Sequence, residues 1–138
     1  MSEIVENPLQ VPSQTDDGMN KHVCSLELSK QLYEAKIVTD AEYWWVKSSL
    51  QELYFITEDL RNPCHIKLCP APIAEELLEL MPEMFIDELG YYKYLKVSKV
   101  AGKYYINYND IEQSDSKLSN ACAKMLLWLK AEGYLGII

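Results

Sequence analysis

The feature that most constrains this chain is a pair of neighbouring runs that alternate with period two. Residues 91–99 read YYKYLKVSK and residues 103–109 read KYYINYN, flanking Val100-Ala101-Gly102. Such a period belongs to a strand with one face toward a core, because successive side chains leave a pleated strand on opposite sides. Gly102 supplies the positive φ that a tight connection between antiparallel strands needs. The two runs predict a β-hairpin, so any fold open to this chain contains an antiparallel sheet.

Helical spacing appears on both sides of the hairpin. Ser25 can cap a helix to about Lys36, its hydroxyl accepting from the free amides of the first turn. Cys24, Leu28, Leu32 and Ala35 then share one face, with Glu27, Lys30, Gln31 and Glu34 outside. Thr39 and Glu42 have capping-box spacing and predict a short helical turn. Tyr43-Trp44-Trp45-Val46 is strongly strand-forming, residues 50–57 (LQELYFIT) offer a second strand, and residues 64–69 a third. Pro70 and Pro72 end that third strand, and Pro72 suits the first turn of a helix over Ile73–Met81. The helix turns Ile73, Leu77, Leu80 and Met81 inward and Glu75, Glu76 and Glu79 outward, and Pro82 stops it. MFIDELG (residues 84–90) reads as a connection. After the hairpin, Ser114 or Ser116 caps a long helix to about Glu132, with Leu118, Ala121, Cys122, Met125, Trp128 and Leu129 as its apolar stripe. Gly133 is its stop, and YLGII folds back on the core. The predicted class is α+β: a mainly antiparallel sheet of about four strands with three helices, the C-terminal helix packed on the sheet.

At 138 residues the chain has room for one domain with a real core. Residues 1–20 mix two prolines and a glycine with short polar residues and show no period, so they are expected to be a disordered acidic tail ahead of a single domain over 21–138. The tail carries Glu3, Glu6, Asp16 and Asp17 and no basic residue, so it holds half of the net charge of −8. The domain is therefore mildly acidic, which disfavours nucleic acid and anionic lipid as partners. The N-terminal residues lack the basic and apolar regions of a secretory signal, and no apolar run is long enough to span a membrane. Four cysteines at irregular spacing suit reduced thiols in a cytoplasm.

The nearest approach to a chemical motif is NPCHIKLCP (residues 62–70), with HVC (residues 22–24) upstream. His22, Cys24, Cys64, His65 and Cys69 are enough donors for zinc, which needs three or four converging N or S ligands. On a regular strand, however, Cys64 shares a face with Ile66 and Leu68, while His65, Lys67 and Cys69 share the other, so the two thiols point apart. No glycine allows a knuckle between them. Cys64 and Cys122 are expected to be small buried apolar residues instead. Cys24, near a helix N-terminus, is the one thiol placed for a lowered pKa. No phosphate loop, GxSxG, HExxH or EF-hand pattern occurs. The expectation is a non-enzymatic protein with no catalytic, metal or cofactor site.

Ten tyrosines, three tryptophans and two phenylalanines are the more informative signal. Tyr and Trp are the usual anchors of protein interfaces, which nominates Trp44, Trp45, Tyr92, Tyr94 and Tyr105 as contacts for an unknown protein partner or for self-association. Residues 91–108 also hold Lys93, Lys96, Lys99 and Lys103 with no acidic residue. A sheet face of tyrosine and lysine can stack bases and hold phosphates, so nucleic-acid binding through the hairpin is the alternative, and a small Cys/His zinc protein the third. Against the hairpin alternative, tyrosine is a good half-buried strand residue and lysine commonly blunts sheet edges.

CSLELSKQLYEAKI (residues 24–37), YWWV (43–46), APIAEELLELMP (71–82) and ACAKMLLWLKAEGYL (121–135) together resemble a group of short uncharacterised proteins of tailed phages and prophages. The likeness covers about residues 22–135. Ile73 stands where a small residue is common, and Glu76-Leu77-Leu78-Glu79 lacks the usual glycine. The resemblance implies a mobile-element origin and the bacterial host cytoplasm as working compartment. It implies no activity, so no functional residue is carried over.

Overall fold

The computed structural model describes residues 22–50 and 53–135; the acidic stretch 1–20 lies outside the described residues. The first helix, α1 (Leu26–Glu34), starts as the sequence predicts. Ser25 is extended and its Oγ accepts from the Leu28 amide at 3.3 Å, a cap worth about 1 kcal/mol. The expected helical turn at Thr39–Glu42 is absent. Asp40 Oδ1 instead accepts the Ala41 amide at 2.9 Å, and the Glu42 amide donates to the distant Glu76 Oε2 at 3.2 Å, so side-chain acceptors take amides that a helical ladder would use.

Three strands follow: β1 (Trp44–Ser48), β2 (Tyr54–Thr57) and β3 (His65–Pro70). They pair antiparallel in the order β2–β1–β3. The register of β1 on β3 slips between Trp45 and Val46: Trp45 faces Cys69, but Val46 faces Lys67. Leu68 is the extra residue, and this β-bulge moves everything on one side of it to the opposite face. The chain then turns through Pro70-Ala71-Pro72 into α2 (Ala74–Leu80). Pro72 precedes that helix rather than lying in its first turn; Ile73 is the N-cap, and Glu76 Oε1 accepts the Ile73 amide at 3.0 Å. Leu77 and Met81 are buried as expected, whereas Leu80 is exposed and Leu78 takes its place against the core.

The second half is an antiparallel meander of β4 (Met84–Ile86), β5 (Tyr92–Val100), β6 (Lys103–Tyr108) and β7 (Ile111–Asp115). Two of its strands differ from the sequence reading. β4 lies in the stretch taken for a connection, and β7 occupies residues where Ser114 was expected to cap a helix. The hairpin is present but tighter than predicted: Val100 pairs with Lys103, leaving Ala101 (φ 51°) and Gly102 (φ 81°) as a two-residue turn. At the next turn Asn109 (φ 60°) stitches β5 back to the body, accepting the Tyr94 amide at 2.9 Å and donating to the Tyr92 carbonyl at 3.2 Å.

The final helix, α3 (Leu118–Glu132), has Lys117 rather than Ser114 or Ser116 as its N-cap. It ends at Gly133 (φ 85°), where the Tyr134 amide reaches back to the Leu129 carbonyl at 2.9 Å. α3 packs on β6 and β7 of the four-stranded sheet and on α1 and α2. Between them lies the main core, with Leu32, Leu77, Phe85, Ile106, Tyr108, Met125, Leu126 and Leu129. A smaller cluster of Val23, Trp45, Cys69 and Ala71 lies on one face of the three-stranded sheet. The class is α+β, as the sequence predicts; among the described residues there are three helices, and the strands divide into one sheet of four and one of three. Among the described residues no helix is long and apolar enough to cross a membrane.

Candidate interaction surface

The register of the four-stranded sheet assigns each residue to a face. Phe85 opposes Lys93, Leu95 opposes Tyr108, and Val97 opposes Ile106; this set lies on the core side of the sheet, where Phe85, Leu95, Ile106 and Tyr108 join the main core. The other set pairs Met84 with Tyr94, Ile86 with Tyr92, Lys96 with Asn107 and Ser98 with Tyr105, and the ladder continues to Glu112 and Ser114 on β7. Among the described residues no helix covers this outer face. Tyr92 and Tyr94 are each 54% exposed, their rings edge to face at 6.3 Å between centroids, with exposed Met84 and Ile86 beside them on β4. A shallow depression of about 660 Å³ continues the face past Tyr94 to Lys96, Tyr105, Asn107 and Glu112. Asn107 and Glu112 are joined there by a 3.1 Å hydrogen bond.

This placement separates the nominated residues. Tyr92, Tyr94 and half-buried Tyr105 come together on the outer face. Trp44 and Trp45 do not: they are 7% and 8% exposed and are packing residues rather than docking anchors. The Trp44 ring meets the edge of Tyr33 at 6.2 Å and the Lys67 ammonium at 4.7 Å. Trp45 Nε1 donates to the Cys24 carbonyl at 3.1 Å. Their strand is the middle one of its sheet, and a continuous apolar run such as YWWV marks a strand covered on both faces.

The lysines also separate. Lys93 lies on the opposite side of β5 from Tyr94, with only 12% of its side chain exposed, 2.7 Å from Asp110 Oδ1 and 3.7 Å from Asp87 Oδ2. The hydrogen bond that Lys93 donates to Asp110 raises its own pKa, and the same bond lowers that of Asp110. Lys93 is thus committed to carboxylates and not free for phosphate. Lys96, Lys99 and Lys103 are exposed, Lys99 with its ammonium 5.1 Å from the centre of the Tyr104 ring.

Sequence reasoning missed Met84 and Ile86. The signal was in DELG: Asp87 Oδ1 accepts the Leu89 and Tyr91 amides, both at 2.9 Å, and Gly90 takes φ 89°, together a turn that returns β4 onto β5.

Cys122 is buried as expected, but the other thiols are placed differently. The bulge at Leu68 puts Cys69 on the Trp45 face, away from Lys67 and from His65, whose ring meets Phe55 at 4.8 Å. Cys64 lies before β3, half-buried in a turn where its amide donates to Asn62 Oδ1 at 2.8 Å, while Cys24, Cys69 and Cys122 are the buried thiols. Burial pushes Cys24 and Cys122 up to about 12 and Cys69 up to about 11. For Cys24 this desolvation, with Cys122 adding to it, outweighs the helix N-terminus that suggested a lowered value. Among the described residues no three His, Cys, Asp or Glu side chains are grouped to hold a metal ion.

A second concavity, of about 740 Å³, lies beside the start of α3 and is lined by Tyr43, Ile73, Tyr104, Lys117 and Leu118 among others. Lys117 Nζ donates to the Val23 carbonyl at 3.0 Å there, and burial lowers its pKa. No protein-family model, curated protein or solved structure matches the chain.

Proposed function

We propose that this chain is a non-enzymatic interaction module of phage or prophage origin, working in the bacterial cytoplasm by docking a partner protein on the outer face of the β4–β7 sheet. The observation that carries the reading is the patch of Met84, Ile86, Tyr92 and Tyr94, four large side chains exposed side by side on one sheet face. A contiguous apolar patch rimmed by polar residues is the usual mark of a docking site, and tyrosine anchors such sites because it buries much area at small entropic cost. The rim here is Lys96, Asn107, Asn109 and Glu112. The setting rests on the resemblance to phage proteins. A binding role rather than catalysis fits the neutral state in which burial holds Cys24, Cys69 and Cys122. The engagement of Lys93 by two carboxylates weighs against the nucleic-acid alternative.

The test is site-specific photocrosslinking in host cells. A benzophenone side chain at Tyr94 should give one discrete adduct, and the same group at Tyr33, exposed on α1, should not. Tyr92→Ala should reduce the adduct by at least about tenfold, the scale of an interface anchor. Equal adducts from both positions, or none from Tyr94, would reject the reading.

A further inference from the structure

We propose that the free edge of β5, residues 96–100, accepts an extended acidic peptide segment as an added strand. This site is the edge of the sheet, and it does not depend on the reading of the outer face. β4 has three residues and β5 has nine, so β4 pairs only with Tyr92–Tyr94, and its neighbour Glu83 takes the Leu95 amide at 2.9 Å. Past Leu95 no strand of the described chain lies beside β5.

The direction of the backbone groups follows from the register. Antiparallel strands alternate between residues that bond one neighbour and residues that bond the other. Leu95 donates toward β4, so Val97 and Lys99 turn their N–H and C=O groups to the same side, which is open. The two-residue turn gives the same answer, since it makes Val100–Lys103 a hydrogen-bonded pair and sends Ser98 and Lys96 toward β6. Two amides and two carbonyls therefore stand on the edge without a strand to take them.

The side chains around this edge specify the partner. Val97 and Val100 are 42% and 58% exposed and offer apolar contacts, and Lys96, Lys99 and Lys103 surround them. From Lys93 to Tyr108 there is no acidic residue, in a chain of net charge −8. Two copies of this edge pairing with each other would set lysines against lysines, which is how natural edges resist self-pairing. The same lysines attract a strand bearing Glu or Asp, so the charge rejects one class of partner and selects the other. Backbone pairing supplies affinity, and alternate side chains supply specificity.

The experiment uses the full chain and a short fluorescein-labelled peptide of alternating glutamate and valine, followed by fluorescence anisotropy and by amide hydrogen exchange. Binding should be saturable, and the amides of Val97 and Lys99 should become protected while that of Ser98, already paired with β6, changes little. Val97→Pro removes one edge donor without touching the β6 ladder and should weaken binding at least about tenfold. Lys96→Glu with Lys99→Glu should abolish it and admit the lysine–valine peptide instead. The glutamate–valine peptide N-methylated at every residue should not bind the native chain, a readout independent of how any variant folds. The proposal is overturned if the unmodified peptide fails to bind, if the methylated one binds equally well, or if protection falls elsewhere than Val97 and Lys99.

Discussion

The two sheets put their aromatic residues to opposite uses. In the three-stranded sheet, Trp44 and Trp45 point to opposite sides of the central strand and both are buried. In the four-stranded sheet, Phe85 and Tyr108 enter the core while Tyr92 and Tyr94, on the same two-residue period, face water. Residue type does not distinguish them; pattern and strand position do. A continuous apolar run forms a strand covered on both sides, and an alternating run forms a strand covered on one.

The largest effect that would break this comparison is at Trp45. Trp45→Ala should cost about 3–5 kcal/mol in urea unfolding, because it removes a buried ring and the donor to the Cys24 carbonyl. A cost near zero would place Trp45 at the surface with Tyr94. Next in size is an alkaline loss of stability. The Cys24 thiol stays protonated in the fold to about 12, whereas its ordinary value is 9.0. Its contribution is complete below 9.0 and is lost as pH rises from there toward about 12, because the unfolded chain then binds fewer protons than the fold. Each pH unit in that window costs about 1.4 kcal/mol for this thiol, and Cys24→Ala should flatten the fall in stability measured by urea melts. Gly102→Ala meets open space but must hold φ 81°, and should cost about 1 kcal/mol in the same melts. The smallest effect sharpens the contrast: Tyr92→Ala and Tyr94→Ala should each change stability by under about 0.5 kcal/mol while weakening partner capture.

The local signals in the sequence were reliable where one interaction dominates. Ser25 as a cap, Gly133 as a stop and the hairpin around Gly102 are each decided by residues within one turn of each other. The failures lie where a distant strand decides. Ile111–Asp115 contains a serine and an aspartate that favour caps, but pairing with Tyr104–Tyr108 makes it a strand. Met84–Ile86 is too short for a periodicity of its own and is a strand because Tyr92–Tyr94 lies beside it. The bulge at Leu68, which moves Cys69 to the Trp45 face, carries no glycine to announce it. For the candidate surface, residue type alone nominated Tyr92, Tyr94 and Tyr105 together with Trp44 and Trp45. It could not show that the three tyrosines share the sheet face opposite α3 while the two tryptophans are buried in the other sheet.

Hydroxyl-radical footprinting of the full chain, in buffer and in extract of phage-infected cells, tests the central claim most directly. Tyr92 and Tyr94 should oxidise readily in buffer and be protected in extract, with Trp44 and Trp45 protected in both. Oxidation of the two tryptophans at the rate of Tyr92, or tyrosines equally reactive in buffer and extract, would contradict the account.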